Sequence, residues 1–198
     1  MPRELFGLQN LSKLMLISNE LSGFIPSDIG NCSKLFRLRL SGNRLTGAVP
    51  AEIGNLKELN FLDLSENLLV GAIPQAISGC EGLQFLDLHS NALTSSFLDS
   101  LPISLQFLDL SDNRLSGELS SSVKRLPQLT KLLLKKNKLS GCIPPELSSA
   151  PNSSSSTSAT ILFSGGIPAE LGLYPPSKFH SISAATFSPA ASRKISQG

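Results

Sequence analysis

Leucines recur along this chain at positions i, i+3 and i+5, followed by an asparagine at i+8 and another leucine at i+10. The first copy is Leu11, Leu14, Leu16, Asn19 and Leu21, the sixth is Leu129, Leu132, Leu134, Asn137 and Leu139, and every slot between them is filled. Asn19, Asn43, Asn67 and Asn91 stand 24 residues apart, with Asn113 and Asn137 following. A unit of this length cannot bury its apolar face alone, so copies must stack on one another into a solenoid. Within Asn60-Phe61-Leu62-Asp63-Leu64-Ser65, alternation sends Leu62 and Leu64 inward and Phe61, Asp63 and Ser65 outward, which predicts a short strand. Stacked copies then make a parallel sheet. The turn after each strand would leave buried backbone groups without water. An asparagine amide, with two donors and an acceptor, is expected to satisfy that turn and the next copy's turn, a ladder formed by Asn19, Asn43, Asn67, Asn91, Asn113 and Asn137.

A second block follows the asparagine: Leu21-Ser22-Gly23-Phe24-Ile25-Pro26, Leu45-Thr46-Gly47-Ala48-Val49-Pro50, Leu69-Val70-Gly71-Ala72-Ile73-Pro74 and Leu139-Ser140-Gly141-Cys142-Ile143-Pro144. This L-x-G-x-I-P signature resembles the plant-specific class of leucine-rich repeats, found in receptor-like kinase ectodomains and in secreted inhibitor proteins. The runs Asn31-Cys32-Ser33-Lys34-Leu35-Phe36-Arg37-Leu38-Arg39-Leu40 and Leu59 to Asn67 are similar to receptor kinases that sense peptide hormones. The resemblance covers residues 1 to about 147. It implies an α/β solenoid: a right-handed superhelix with a parallel concave sheet, an extra short strand beside it and short helical or 3-10 convex segments.

Departures from the frame are confined to two places. The fourth repeat is 22 residues long from Asn91 to Asn113, with Ser95 in the glycine slot and Leu98 in the proline slot, and Ser120 replaces the proline of the fifth. A convex loop absorbs such a change, so a local irregularity and an intact sheet are expected. Further on, Gly141 to Leu147 recurs as Gly165 to Leu171, but the leucine slots between them hold Ser153, Ser156 and Ser158. With permitted codons and a shift of one base, residues 149–163 read as a well-formed repeat, and 174–190 behave likewise. The reading divides the chain into a solenoid of about six repeats, 1–147, and an aberrant, disordered tail, 148–198, with a partial repeat at 164–173. Residues 149–163 and 174–198 are expected to be out-of-frame translation of a receptor sequence. Met1-Pro2-Arg3-Glu4-Leu5 begins within an I-P-x-E-L block, so an internal slice of a longer ectodomain is expected.

Composition adds mainly exclusions. No apolar run reaches the roughly 18 residues of a membrane span, and a formal charge of +2 is too small to suggest nucleic acid. Cys32 and Cys80 occupy the same convex slot two repeats apart, beyond disulfide reach, and read as buried fillers, with Cys142 exposed and free. Asn10, Asn31 and Asn152 match the glycosylation acceptor pattern.

The outward strand positions carry the candidate chemistry. They line up as three columns: Lys13, Arg37, Phe61, Phe85, Phe107, Lys131; then Met15, Arg39, Asp63, Asp87, Asp109, Leu133; then Ile17, Ser41, Ser65, His89, Ser111, Lys135. Aromatic and carboxylate stripes beside a pair of arginines suggest a groove for an extended peptide, with Phe61, Phe85, Phe107, Asp63, Asp87, Asp109 and His89 lining it; the rings also suit a ladder that packs on itself. Alternation places Arg37 and Arg39 on one face, where they can fork onto a carboxylate, or bridge to Asp63 and Glu66 of the next strand. The resemblance implies that such an Arg-x-Arg pair receives the free C-terminus of a secreted peptide, and that a co-receptor ectodomain and a Ser/Thr kinase domain outside this chain belong to the same system. Asp87, His89 and Ser65 or Ser111 lie on neighbouring strands, but a flat wet face offers no oxyanion donors, so no catalysis is expected. Two histidines and dispersed cysteines predict no metal site, and nothing calls for a cofactor. Lys131, Lys135, Lys136 and Lys138 read as a solvated basic rim. Three readings of function follow: a receptor ectodomain fragment perceiving a peptide at the outer side of the plasma membrane, a secreted inhibitor of a cell-wall hydrolase, or a frame-disrupted product with no function.

Overall fold

The computed structural model describes residues 1–94, 101–118 and 126–140, together with the backbone of strands at 160–163 and 182–184; the structural statements below concern these residues. Each repeat contributes one strand to a continuous parallel sheet and a second short strand to a flanking sheet. In chain order the strands are β1 (Lys13–Met15), β2 (Ser22–Phe24), β3 (Arg37–Arg39), β4 (Arg44–Gly47), β5 (Phe61–Asp63), β6 (Leu68–Gly71), β7 (Phe85–Asp87), β8 (Ala92–Leu93), β9 (Phe107–Asp109), β10 (Ser116–Glu118), β11 (Lys131–Leu133), β12 (Lys138–Ser140), β13 (Thr160–Phe163) and β14 (Ile182–Ala184). The odd-numbered strands through β13, followed by β14, form the main sheet. Its register sets equivalent positions side by side: Leu38 pairs with Leu62, Leu62 with Leu86, and Leu86 with Leu108.

The ribs are the core. Leu38, Leu40, Leu62, Leu64, Leu86, Leu88 and Leu108 are fully buried. Behind them, 3-10 helices η2 (Ser27–Asn31), η3 (Ala51–Asn55) and η4 (Gln75–Gly79) close the convex side, and each turns inward one isoleucine: Ile29, Ile53 and Ile77. The prolines of the second block stand just before these helices with φ of −66°, −68° and −67°, already set for the turn, and their carbonyls accept from Ile29, Ile53 and Ile77. A fourth, η1 (Arg3–Gly7), buries Phe6 over the first repeat.

The asparagine ladder runs in the opposite direction to the expected one. Asn67 Nδ2 donates to Leu64 O (3.2 Å) and Ser65 O (3.0 Å) of its own repeat and to Leu40 O (3.0 Å) of the preceding one, while its Oδ1 accepts from Leu45 N (3.0 Å), also of the preceding repeat. Asn43, Asn91, Asn113 and Asn137 repeat this set. Asn19 has no described repeat before it, so its amide donates only to Ile17 O (2.9 Å) and stands exposed. The turn also requires left-handed backbone just before each asparagine, at Ser18, Glu66, Ser90, Asp112 and Lys136 (φ 51° to 54°) and at Gly42 (φ 66°). No periodicity of residue type announces that strain, since five different residues occupy the position.

The short fourth repeat leaves the main sheet intact, and among the described residues the flanking strands fall into two groups. Strands β2-β4-β6-β8 form one flanking sheet and β10-β12 another. Arg114 N to Leu93 O (2.9 Å) carries the seam across the break. At the far end, the 24-residue period placed the seventh rib at Ser153, Ser156 and Ser158. The backbone instead pairs Ile161 with Leu132, and β14 pairs on through Ile161 and Ile182. A strand is thus drawn from the next apolar cluster, five residues later, because serines offer nothing to bury at a rib position. The rest of 148–198, with Cys142, Asn152, the Gly165–Leu171 block and most of the proposed frame-shifted residues, lies outside the described residues.

Candidate functional site

The outward columns form as the spacing predicts. Lys13 pairs with Arg37, Arg37 with Phe61, Phe61 with Phe85, Phe85 with Phe107, and Phe107 with Lys131. Three rings stack along this line. The Phe61 and Phe85 centroids lie 4.0 Å apart with 4° between planes, and those of Phe85 and Phe107 4.3 Å apart with 6°. Both ends are closed by cations: Arg37 Cζ sits 4.9 Å from the Phe61 centroid and Lys131 Nζ 5.4 Å from that of Phe107. With faces covered on both sides, the phenylalanines present ring edges to solvent, and a ligand meets an apolar ridge, not a stacking platform.

Arg37 and Arg39 do share a face, since Arg39 Cζ also lies 5.4 Å from the Phe61 centroid. Their surroundings differ. Arg39 donates through Nε (3.2 Å) and Nη2 (3.1 Å) to Asp63 Oδ2, which also accepts from Ser41 Oγ (2.9 Å). Asp63 Oδ1 accepts from Ser65 Oγ (2.7 Å) and Ser65 N (3.3 Å). Asp63 is only 5% exposed, which corrects its expected place as a ligand-lining residue. Its strand position faces outward, but the long Arg39 side chain and two serine hydroxyls close over it. Ser41 and Ser65, lined up in the third column without a role, are the clamps that the sequence reading missed; their signal was a serine on each side of an aspartate in adjacent ribs. Arg37 makes no ion pair among the described residues, and its Nε is buried without a hydrogen-bond partner.

One strand further, His89 gathers carboxylates. Its Nδ1 lies 2.7 Å from Asp87 Oδ1 and its Nε2 3.5 Å from Glu66 Oε1, so Glu66 serves His89 and not the arginines. Partial burial works against a charge on His89, but the hydrogen bond and charge of Asp87, with Asp109 and Glu66 behind, outweigh it and raise the imidazole pKa. Burial raises Asp87 as well, against the lowering effect of the His89 bonds. Asp87, His89 and Asp109 bring ligand atoms within 4.8 Å of one another, a grouping that cysteine and histidine spacing along the chain does not reveal because it is assembled across strands. Each carboxylate also caps its own strand end: Asp87 Oδ1 accepts from His89 N (3.0 Å) and Asp109 Oδ1 from Ser111 N (2.8 Å). Both nitrogens of His89 face carboxylates, and among the described residues no serine hydroxyl bonds to it, so the Asp-His-Ser arrangement of a hydrolase is not assembled.

Away from this face, Cys32 and Cys80 are buried and free. Cys80 Sγ donates to Ile53 O (3.1 Å), and desolvation, against a small opposing effect of Lys57, pushes its thiol up to about 11, so it stays protonated and inert. Asn10 and Asn31 are exposed. In the basic rim, Lys136 pairs with Asp112 (2.9 Å).

Residues 48–93 match the family model described as Leucine rich repeat, and 10–32, 34–56, 104–126 and 128–150 match Leucine Rich Repeat. These segments cover more than half the chain, which therefore belongs to the leucine-rich repeat family. None of the curated proteins matches. Among solved structures, the chain is similar to the plant peptide hormone receptor RGFR1 in complex with RGF2, at 57% identity over 87% of this chain and 28% of that one, with a TM-score of 0.77. It is similar to the ectodomain of the Arabidopsis thaliana membrane receptor kinase GASSHO1/SCHENGEN3 in complex with CASPARIAN STRIP INTEGRITY FACTOR 2 (31%, 95% and 25%, 0.72). It is also similar to the Arabidopsis receptor kinase HAESA in complex with the peptide hormone IDA and the co-receptor SERK1 (33%, 93% and 35%, 0.64). The chain spans between 25% and 35% of the length of these receptors.

Proposed function

We propose that this chain is a peptide-binding module of a plant receptor-kinase ectodomain, working at the outer side of the plasma membrane, and that it holds the C-terminal carboxylate of a secreted peptide at Arg37 and Arg39. The observation that carries this reading is the convergence of two guanidinium groups on one Phe61 ring at the head of an apolar ridge. Planar, permanently charged forks suit a carboxylate, and the ridge of Phe61, Phe85 and Phe107 gives the adjoining residues an apolar support. The relatives seen with a peptide hormone, and in one case a co-receptor, support the same assignment, with a co-receptor ectodomain as second partner. Asp87, His89 and Asp109 line the same face as secondary contacts, and Asn10 and Asn31 are the glycan acceptors among the described residues.

The test is a binding comparison between peptides that differ only at the end group. Peptides selected from a random library against this chain are expected to bind as free acids and to lose at least about tenfold as amides, the cost of a lost charge-assisted contact. Arg37→Ala with Arg39→Ala removes the difference. Equal binding of acid and amide by the unaltered chain overturns the reading.

A further inference from the structure

The two arginines are not equivalent, and the difference fixes what kind of anion the site accepts. Arg39 is committed: two of its nitrogens go to Asp63 Oδ2, and Asp63 is itself saturated on both oxygens by Arg39, Ser41 and Ser65. The Asp63 side chain is 6% exposed against 35% for Arg39, so the negative charge lies beneath the guanidinium and cannot swing away to solvent. Arg37 has no such partner among the described residues. Its guanidinium lies over the Phe61 ring, and its buried Nε hydrogen is unclaimed.

We propose that Asp63 is a specificity-determining residue: it cancels the charge of Arg39, leaves Arg37 as the one guanidinium of the pair with no carboxylate partner among the described residues, and so favours an end group of one negative charge. This rests on the peptide-acid reading above and deepens it. Two uncompensated guanidinium groups on one ring would favour a dianion, such as a phosphate ester or a terminal aspartate with its second carboxylate. With Asp63 in place, the second negative charge of such a group meets a neutral ion pair whose acceptor is already buried, and gains little for its desolvation. Arg39 keeps an outer edge that steers the carboxylate plane while Arg37 supplies the net attraction.

The Arg Nε–Hε resonances of the intact chain, followed by NMR during titration with N-acetylglycine, N-acetylglycinamide and N-acetylaspartate, read each arginine separately. The Arg37 signal is expected to move saturably with N-acetylglycine and not with its amide, the Arg39 signal to move far less, and N-acetylaspartate to bind no more than about twofold better than N-acetylglycine. In Asp63→Asn, N-acetylaspartate should gain at least about fivefold over N-acetylglycine, as expected for one released charge near a partly exposed site. Equal saturable shifts at both arginines, or a strong preference for N-acetylaspartate in the unaltered chain, overturns the role of Asp63. If neither arginine responds to any of the three probes, the carboxylate reading itself fails. Should Asp63→Asn give a poorly dispersed spectrum, the comparison within the unaltered chain decides alone.

Discussion

At the scale of single residues, the ladder asparagines offer an internal control, because the same residue type occurs with and without its full set of bonds. Asn67 is 6% exposed and satisfies three carbonyls and one amide across two repeats. Replacing it with leucine removes all four bonds: Leu40 O, Leu64 O and Ser65 O each keep one other donor, from Asn43, Asn91 and Gly42, but Leu45 N loses its acceptor. Each lost bond is worth about 0.5 to 1.5 kcal/mol and the orphaned amide about 1 to 3 kcal/mol. Asn67→Leu should therefore destabilise the chain by about 3 to 5 kcal/mol, while Asn19→Leu, at the exposed end, should stay within ~0.5 kcal/mol. Urea unfolding of both variants checks the contrast. His89 makes a second prediction. Its raised pKa means the folded state favours the imidazolium, so that stabilisation is complete below the unfolded value of about 6.5 and is lost as pH rises through the higher folded value. Asp87, also raised, acts in the same direction lower down, because ionising a half-buried carboxylate costs stability as pH climbs through the acidic range. The melting temperature should fall between about pH 6 and 8, and His89→Gln should flatten that part of the profile.

At the scale of elements, the glycine of the L-x-G-x-I-P block shows what the motif is for. Gly23, Gly47, Gly71 and Gly117 all sit at positive φ, between 76° and 84°, where the flanking strand bends toward the convex side. At Gly47 a side chain meets a second obstacle, since an added Cβ would collide with the Phe24 ring of the preceding repeat, whereas at Gly71 the nearest atom, Ala48 Cβ, is 3.8 Å away. Gly71→Ala should cost about 1 kcal/mol from backbone strain alone, and Gly47→Ala about 2 kcal/mol or more, because Phe24 must also leave its seat. Thermal unfolding of the pair separates the two contributions. Much of this architecture was legible in the chain. The rib leucines gave the sheet, the second block gave the flanking strands, and the columns of outward residues follow from a period that the register obeys. Other features were not. The left-handed residue before each asparagine is filled by serine, glutamate, aspartate, lysine or glycine, so no residue type marks it. The burial of Asp63 needed the length of Arg39 and the positions of Ser41 and Ser65 in three dimensions. The slip of the next rib from Ser156 to Ile161 came from apolar content overruling the period.

For the whole molecule, a solenoid is a line of units each in contact only with its neighbours, so stability is expected to vary along it instead of being a single quantity. The main sheet provides five equivalent reporters. The amides of Leu16, Leu40, Leu64, Leu88 and Leu110 donate to the neighbouring strand at 2.8, 2.8, 2.9, 2.9 and 2.9 Å, so their bonds are alike and any difference in hydrogen exchange reports how readily each repeat opens. What surrounds them is not alike. Leu14 retains 8% exposure and Leu16 is only partly buried, whereas Leu38, Leu62, Leu86 and Leu108 are fully buried, and Asn19 lacks the bonds that tie every later asparagine to the repeat before it. Opening the first repeat breaks one strand interface of the main sheet and no upstream ladder bonds, while opening the third breaks two strand interfaces and both sets. Leu16 should therefore exchange at least about tenfold faster than Leu64, with Leu40 between them, on the scale of sub-global opening. Equal protection at all five sites would mean that the sheet opens as one body, and that the nearest-neighbour picture from which the repeat energetics are argued does not hold for this chain.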